Sequence, residues 1–384
     1  MASALIRAGT PHRMTENDRP AQDKAPAPQR QAASAAGAAP DSAPGDAPIG
    51  GAGDGRGAGP GSAPRAGSGA TVAAAPRGRP RDRAVNAAFR AVLALALALP
   101  YRWRVPLVGW VFARLVAPVA GFRRRIRANL AHVCPDLPEA EVARLCRAVP
   151  DNIGRGLIET YSAKGLTHWS TRHPIEGPGL EALRAARADG RPVILVTGHF
   201  GNFNAARAAL VAEGFPVAAL YRPMTNPFFN PHYEAAMHAV SRPLFSRDKR
   251  GMAAMLRFLR EGGMVGILID QRMAHGKALR FFGRPAHTAL SAAELALRLD
   301  APAVPVYAIR QPDGLSFRVV VEAPVPPDTP EAMTQALNDS LEARVRAHMD
   351  QWFWIHRRWA APNPVHVPAH LREETAAIYR DAGQ

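Results

Sequence analysis

The sequence predicts an α/β domain: a mixed, mostly parallel sheet covered by helices, preceded by a helical membrane-anchoring segment and a disordered N-terminal tail. Three observations carry this. Apolar, β-branched runs alternate with helical stretches from about residue 190 onward, the pattern of strands and crossover helices in a covered sheet. Two apolar segments with arginines and tryptophans at their ends precede those runs. Before them, Ala, Gly, Pro, Ser and Arg crowd out nearly every large apolar side chain.

In chain order, residues 1–83 come first. Their composition cannot bury enough apolar surface to offset the entropy of ordering, so they read as a disordered tail. The compact apolar core and small-residue cleavage site of a secretory signal are also missing. Residues 84–122 hold two apolar segments, 84–100 and 105–122, separated by YRWR and followed by RRRIR. Neither supplies the roughly 20 uninterrupted apolar residues of a spanning helix. Arginines and tryptophans around apolar middles fit interfacial anchoring, and a buried amphipathic helix pair is the competing reading.

Residues 123–384 make the main domain, with a helical lead-in at 123–175, an α/β core at 176–362 and a tail at 363–384. In the lead-in, PDLPEAEVARLCRAV opens on an acidic turn and keeps its apolar residues at helical spacing; NIGRGLIETY continues the period. Strands are predicted at 192–197, 215–221, 263–270, 301–309 and 315–322, with helices between most of them. The turn QPDG at 311–314 is too short for a crossover, so the last two strands should be antiparallel. The block QWFWIHRRWAAP at 351–362 fits either lipid-phosphate contact at a membrane interface or an aromatic plug for the sheet.

The formal net charge of +16 favours anionic partners: nucleic acid, anionic headgroups or an acidic carrier protein. Basic residues are spread along the chain without a reading helix or stacking platform, which argues against nucleic acid. Cys134 and Cys146 have neither pairing nor metal spacing, as in a reducing compartment.

The stretch ILVTGHFGNFNAARAAL at 194–210 carries the candidate site. An apolar strand breaks at Gly198 and presents His199 at the sheet edge, where open α/β sheets place their chemistry. Gly198 and Gly201 flank it and would allow a ligand to approach the backbone closely. Asn202 precedes a helical segment that should fold Asn204 back beneath the imidazole. Two later strands end in YRP at 221–223 and DQR at 270–272, so Arg222, Asp270 and Gln271 reach the same edge. The candidate catalytic residues are therefore His199, Asn204 and Asp270. Gly198, Gly201, Asn202, Arg222 and Gln271 are the candidate substrate-binding residues, and no metal site is expected.

GHFGN, YRPMTNP, IDQ followed by FFGRPA, APAVPVY and FWIHRRW together resemble the bacterial secondary, or late, acyltransferases of lipid A biosynthesis, of lauroyl or myristoyl type. These lie within the lysophospholipid acyltransferase superfamily, and the resemblance spans roughly residues 85–360. It implies an acyl thioester on acyl carrier protein as donor and a hydroxyl of a lipid A precursor as acceptor. No cofactor is implied, and the location would be the cytoplasmic face of the inner membrane. A lysophospholipid or another glycolipid is the alternative acceptor. A hydroxyl attacks a thioester only if a base takes its proton, which His199 would do. Arg222 would hold an anionic group or support the oxyanion, and Asp270 would orient the site or the loop carrying His199. Arg247, Lys249, Arg250, Arg257 and Arg260 would suit an acidic carrier. The superfamily signature places an acid where this chain has Asn204. An amide can preserve the tautomer but offers the imidazolium no charge, which implies a slow enzyme, one in which Asp270 substitutes, or a weak or inactive relative.

Overall fold

The computed structural model describes residues 79–224 and 226–381. Of the expected tail, residues 1–78 lie outside the described residues, and helix begins at Pro80 rather than at 84.

The strands are β1 (Val193–Thr197), β2 (Val217–Tyr221), β3 (Leu244–Ser246), β4 (Met264–Leu268), β5 (Lys277–Phe281), β6 (Arg284–Thr288), β7 (Ala303–Arg310) and β8 (Phe317–Val321). Six of them form one sheet in the order β3-β2-β4-β1-β7-β8. All its pairings are parallel except β7 with β8, which the QPDG turn joins antiparallel as its length requires. β5 and β6 make a separate antiparallel hairpin. Neither the hairpin nor β3 follows from the apolar pattern: β3 is only three residues long, and KALRF and RPAHT carry charge and proline rather than an apolar run.

The helices are α1 (Pro80–Ala98), α2 (Tyr101–Val111), α3 (Phe122–Val133), α4 (Glu139–Thr160), α5 (Ala163–Ser170), α6 (Leu180–Ala188), α7 (Phe203–Ala212), α8 (Asn230–Val240), α9 (Lys249–Arg260), α10 (Ser291–Arg298), α11 (Pro330–Ala347) and α12 (Arg372–Asp381). Three starts are set by side-chain caps: Asn202 accepts from the amide of Asn204, Asp248 from Gly251 and Thr329 from Ala332.

Alternation along β1 explains why both sheet faces are covered. Val193 and Leu195 pack with α5, α6 and α7; Ile194 and Val196 pack with α9, α10 and α11. Every residue of β7 is buried, as expected of a strand inside such a sandwich.

A third core lies beyond the sheet, where Phe112, Phe122, Ile126 and Leu130 meet α4 and the block 352–359. One face of α2 is therefore interior, with Val105 and Gly109 buried and Phe112 continuing the row in a π-turn. Its other face exposes Trp103, Leu107 and Trp110, and Leu115 and Val119 continue the exposure. No single helix among the described residues is long and apolar enough to cross a membrane; helices 101–119 and 122–133 meet at 84°. In the C-terminal block, Trp352, Trp354, Trp359 and Arg358 are buried, which makes it an aromatic plug; of its basic residues only Arg357 is exposed.

Candidate active site

Strand register builds the centre of the site. β1 and β4 are parallel neighbours with Thr197 opposite Leu268. His199 and Asp270 each lie two residues past that pair, so the topology delivers them side by side. The His199 Nδ1 is 2.7 Å from the Asp270 Oδ1, and the His199 backbone N–H donates to Oδ2 at 2.7 Å. The Trp352 indole N–H donates to the same Oδ2 at 2.8 Å. Burial opposes the charge on Asp270. The neighbouring imidazole and these three donors outweigh it and hold the carboxyl at about 2. A carboxylate at Nδ1 fixes the proton there and leaves Nε2 as the accepting nitrogen. Nε2 faces outward, 3.3 Å from the Gln271 amide nitrogen.

Asn204 does not turn back beneath the imidazole. Its helix starts at Phe203, and that start aims the amide away, towards Thr160 Oγ1 at 3.5 Å and Met237 Sδ at 3.6 Å. Asn204 is 1% exposed and its Oδ1 has no hydrogen-bond partner among the described residues. The glycines also serve the protein before any ligand. A Cβ on Gly198 would lie 3.0 Å from Asp270 Oδ2 and 2.7 Å from Leu341. Gly201 has φ +52°, and its Cβ would lie 1.8 Å from the Ala308 carbonyl oxygen, so only glycine fits there. Arg222 is exposed at the end of β2 and makes no hydrogen bond or ion pair among the described residues.

Asn202 ties this loop to a network that sequence reading missed. Its amide donates to Glu159 Oε2 at 2.7 Å, and Glu159 receives both terminal nitrogens of Arg310, at 2.6 and 2.7 Å. The Arg310 Nε donates to Asn152 at 2.7 Å. The signal was present as one acid in the apolar face of NIGRGLIETY and one arginine closing an apolar strand. Charges in such places need a buried partner.

Beside His199 opens a narrow cleft of about 100 Å³, partly continuous with solvent. One wall is a single face of α4, from Asn152 and Ile153 through Gly156 and Leu157 to Thr160 and Tyr161. Phe203 and Asn204 face it, and Trp352 and Phe353 close it off. A narrow cleft with mostly apolar walls beside one imidazole suits a slender apolar chain better than a bulky polar ligand.

A carboxylate-fixed imidazole lining an apolar cleft, on the carboxyl edge of a parallel sheet, has the geometry that base-assisted group transfer needs. Residues 80–361 match the bacterial lipid A biosynthesis acyltransferase family. The chain belongs to that family, and it is an acyltransferase. It is 25% identical over 295 residues to the lipid A biosynthesis lauroyltransferase of Escherichia coli, covering 72% of this chain and 92% of that one. The phosphatidylinositol mannoside acyltransferase of Mycobacterium tuberculosis is also 25% identical, over 264 residues, covering 66% of this chain and 82% of its own. A lipid A biosynthesis acyltransferase of Haemophilus influenzae is 24% identical over 271 residues, 68% of this chain and 83% of that one.

Proposed function

We propose that the protein moves a fatty acyl chain from an acyl carrier protein thioester to a hydroxyl of a lipid A precursor. The observation that carries this reading is the His199–Asp270 pair opening onto the apolar cleft. Nε2 takes the proton of the acceptor hydroxyl as its oxygen attacks the thioester carbonyl. The tetrahedral intermediate collapses, the C–S bond breaks, and the thiolate recovers the proton from Nε2. Asp270 stabilises the imidazolium between those two transfers. The products are an ester and a free carrier thiol.

The Gln271 amide sits where the hydroxyl would approach and must yield to it, or turn to donate to the developing oxyanion. Arg222, exposed and without an ion-pair partner among the described residues, would hold a phosphate of either substrate. Arg247, Lys249, Arg250, Arg257 and Arg260 are all exposed on and beside α9, a basic surface for an acidic carrier. The exposed row Trp103, Leu107 and Trp110 would seat the protein on the cytoplasmic face of the inner membrane. A second acceptor, a glycolipid mannoside, is favoured by the equal identity to the mycobacterial relative.

The test is to incubate the purified full chain with acyl carrier protein thioester and either lipid A precursor or a mannoside glycolipid, reading products by mass. One added acyl group on the precursor, lost in His199→Ala, is the expected result. Transfer only to the mannoside would select the second acceptor. Transfer to neither would sink the proposal.

A further inference from the structure

We infer that Gly156 sets the length of hydrocarbon chain that the cleft beside His199 accepts, an inference resting on the acyl-transfer reading of that cleft. Glycine inside a helix is destabilising relative to alanine, so each one needs a reason. The segment Ile153-Gly154-Arg155-Gly156 holds two, in the middle of α4. Gly154 has its reason in packing: a Cβ there would lie 2.5 Å from the Phe112 Cβ and 3.0 Å from the Gly109 Cα. At Gly156 a Cβ would meet no atom within 4 Å. Packing does not require glycine there.

What lies in front of Gly156 is the cleft. Asn152, Gly156 and Thr160 are successive turns of one helix face, all lining it, and Gly156 is the gap in that row. Leu157 adjoins the gap, and Phe203, Phe353 and the His199 imidazole line the same cleft. An apolar space next to a base that serves an ester-forming reaction fits a hydrocarbon chain, and any side chain at 156 would shorten or narrow it. The chain could belong to the donor thioester or to the acylated acceptor, because their chemistry is the same.

The experiment compares wild type with Gly156→Ala and Gly156→Leu in three arms. The first varies donor acyl length at fixed acceptor. The second varies acceptor chain length at fixed donor. The third uses no reaction: decanoate, laurate or palmitate displaces cis-parinaric acid from the full-length protein. Gly156→Leu should move the preference towards short chains by roughly tenfold or more, the scale of a methylene misfit in an apolar pocket, with Gly156→Ala moving it less. The arm that shifts identifies the source of the chain. Gly156→Ala should melt at or above the wild-type temperature, and it carries the test if the leucine variant does not fold. Unchanged chain-length ranking in every arm would overturn the inference, as would a lower melting temperature for Gly156→Ala. If wild type transfers nothing but displacement still shifts with the substitution, the acyl-transfer reading fails and the chain-length role stands.

Discussion

At the scale of single residues, the proposed mechanism turns on Asp270. Asp270→Asn keeps an acceptor for the indole and removes the charge facing the imidazolium. The rate should fall on the order of 10²–10⁴. Steady-state rates of both proteins at one pH read this. Asn204→Asp should bring no gain in rate. It puts a carboxylate at a 1%-exposed position whose polar neighbours are a threonine hydroxyl and a thioether, so the melting temperature should drop instead. A faster Asn204→Asp enzyme would contradict the assignment of Asp270. His199 and Asp270 were both legible, since each follows an apolar strand and breaks its pattern. Their partnership was one of two readings open in the sequence, beside Asn204, because the choice rests on β4 lying beside β1, a neighbour relation that local sequence does not fix. Asn204 misled for the same kind of reason: its spacing from His199 is right for a contact, but the helix cap at Asn202 sets where the amide points.

His356 gives the site a pH signature of stability. Burial holds its imidazole down at about 4 against an ordinary 6.5, while its Nε2 accepts the Arg272 N–H at 2.9 Å. The unfolded chain takes up this proton near 6.5 and the folded one only near 4, so stability falls as pH drops through that window, by at most about 1.4 kcal/mol per pH unit. Asp270 adds a further loss as its folded value of about 2 is approached. His356→Gln can still accept from Arg272 and does not titrate. Its melting temperature should fall less steeply than wild type between pH 6.5 and 4, as scanning fluorimetry would show.

At the scale of elements, α4 joins what the sheet alone cannot. Glu159 on α4, Arg310 at the end of β7 and Asn202 at the start of α7 form one buried cluster. Removing one charge leaves the other unpaired, so Glu159→Gln should cost about 3–5 kcal/mol. Glu159→Leu with Arg310→Met should cost much less, because neither charge remains. The comparison by chemical denaturation separates an unpaired charge from a general packing defect. The order of strands and helices was readable because apolar runs and helical periods alternate. The hairpin β5–β6 was not, since KALRF and RPAHT carry charge and proline in place of an apolar run, and the hairpin leans on α11, where the Arg280 N–H donates to Gln335 at 2.8 Å. The block 352–362 looked equally suited to a membrane surface or a core; three tryptophans have the same composition in either place, and only burial separates the two.

At the scale of the whole molecule, the exposed apolar face of α2 makes its own prediction. Trp103→Ser, Leu107→Ser and Trp110→Ser combined should weaken co-sedimentation with anionic vesicles by on the order of a hundredfold or more, given about 1.5–3 kcal/mol per fully buried large side chain. The melting temperature without lipid should hold, since 59%, 45% and 53% of these residues' surfaces are already exposed. Unchanged vesicle binding would remove α2 from the membrane proposal.

The crossing of α2 on α4 has a kinematic meaning. Backbone meets backbone at Gly109 and Gly154, and a single added carbon on Gly109 would lie 2.7 Å from an Asp151 oxygen. A joint with so little slack does not slide or pivot. Whatever surface receives Trp103 and Trp110 therefore sees the cleft at one fixed height and tilt, because α4 is both the seat of α2 and the cleft's wall. On the proposed membrane seating, lipid and base then meet through movement of the lipid, and the turnover number should track membrane fluidity even when the chemistry at His199 is unchanged.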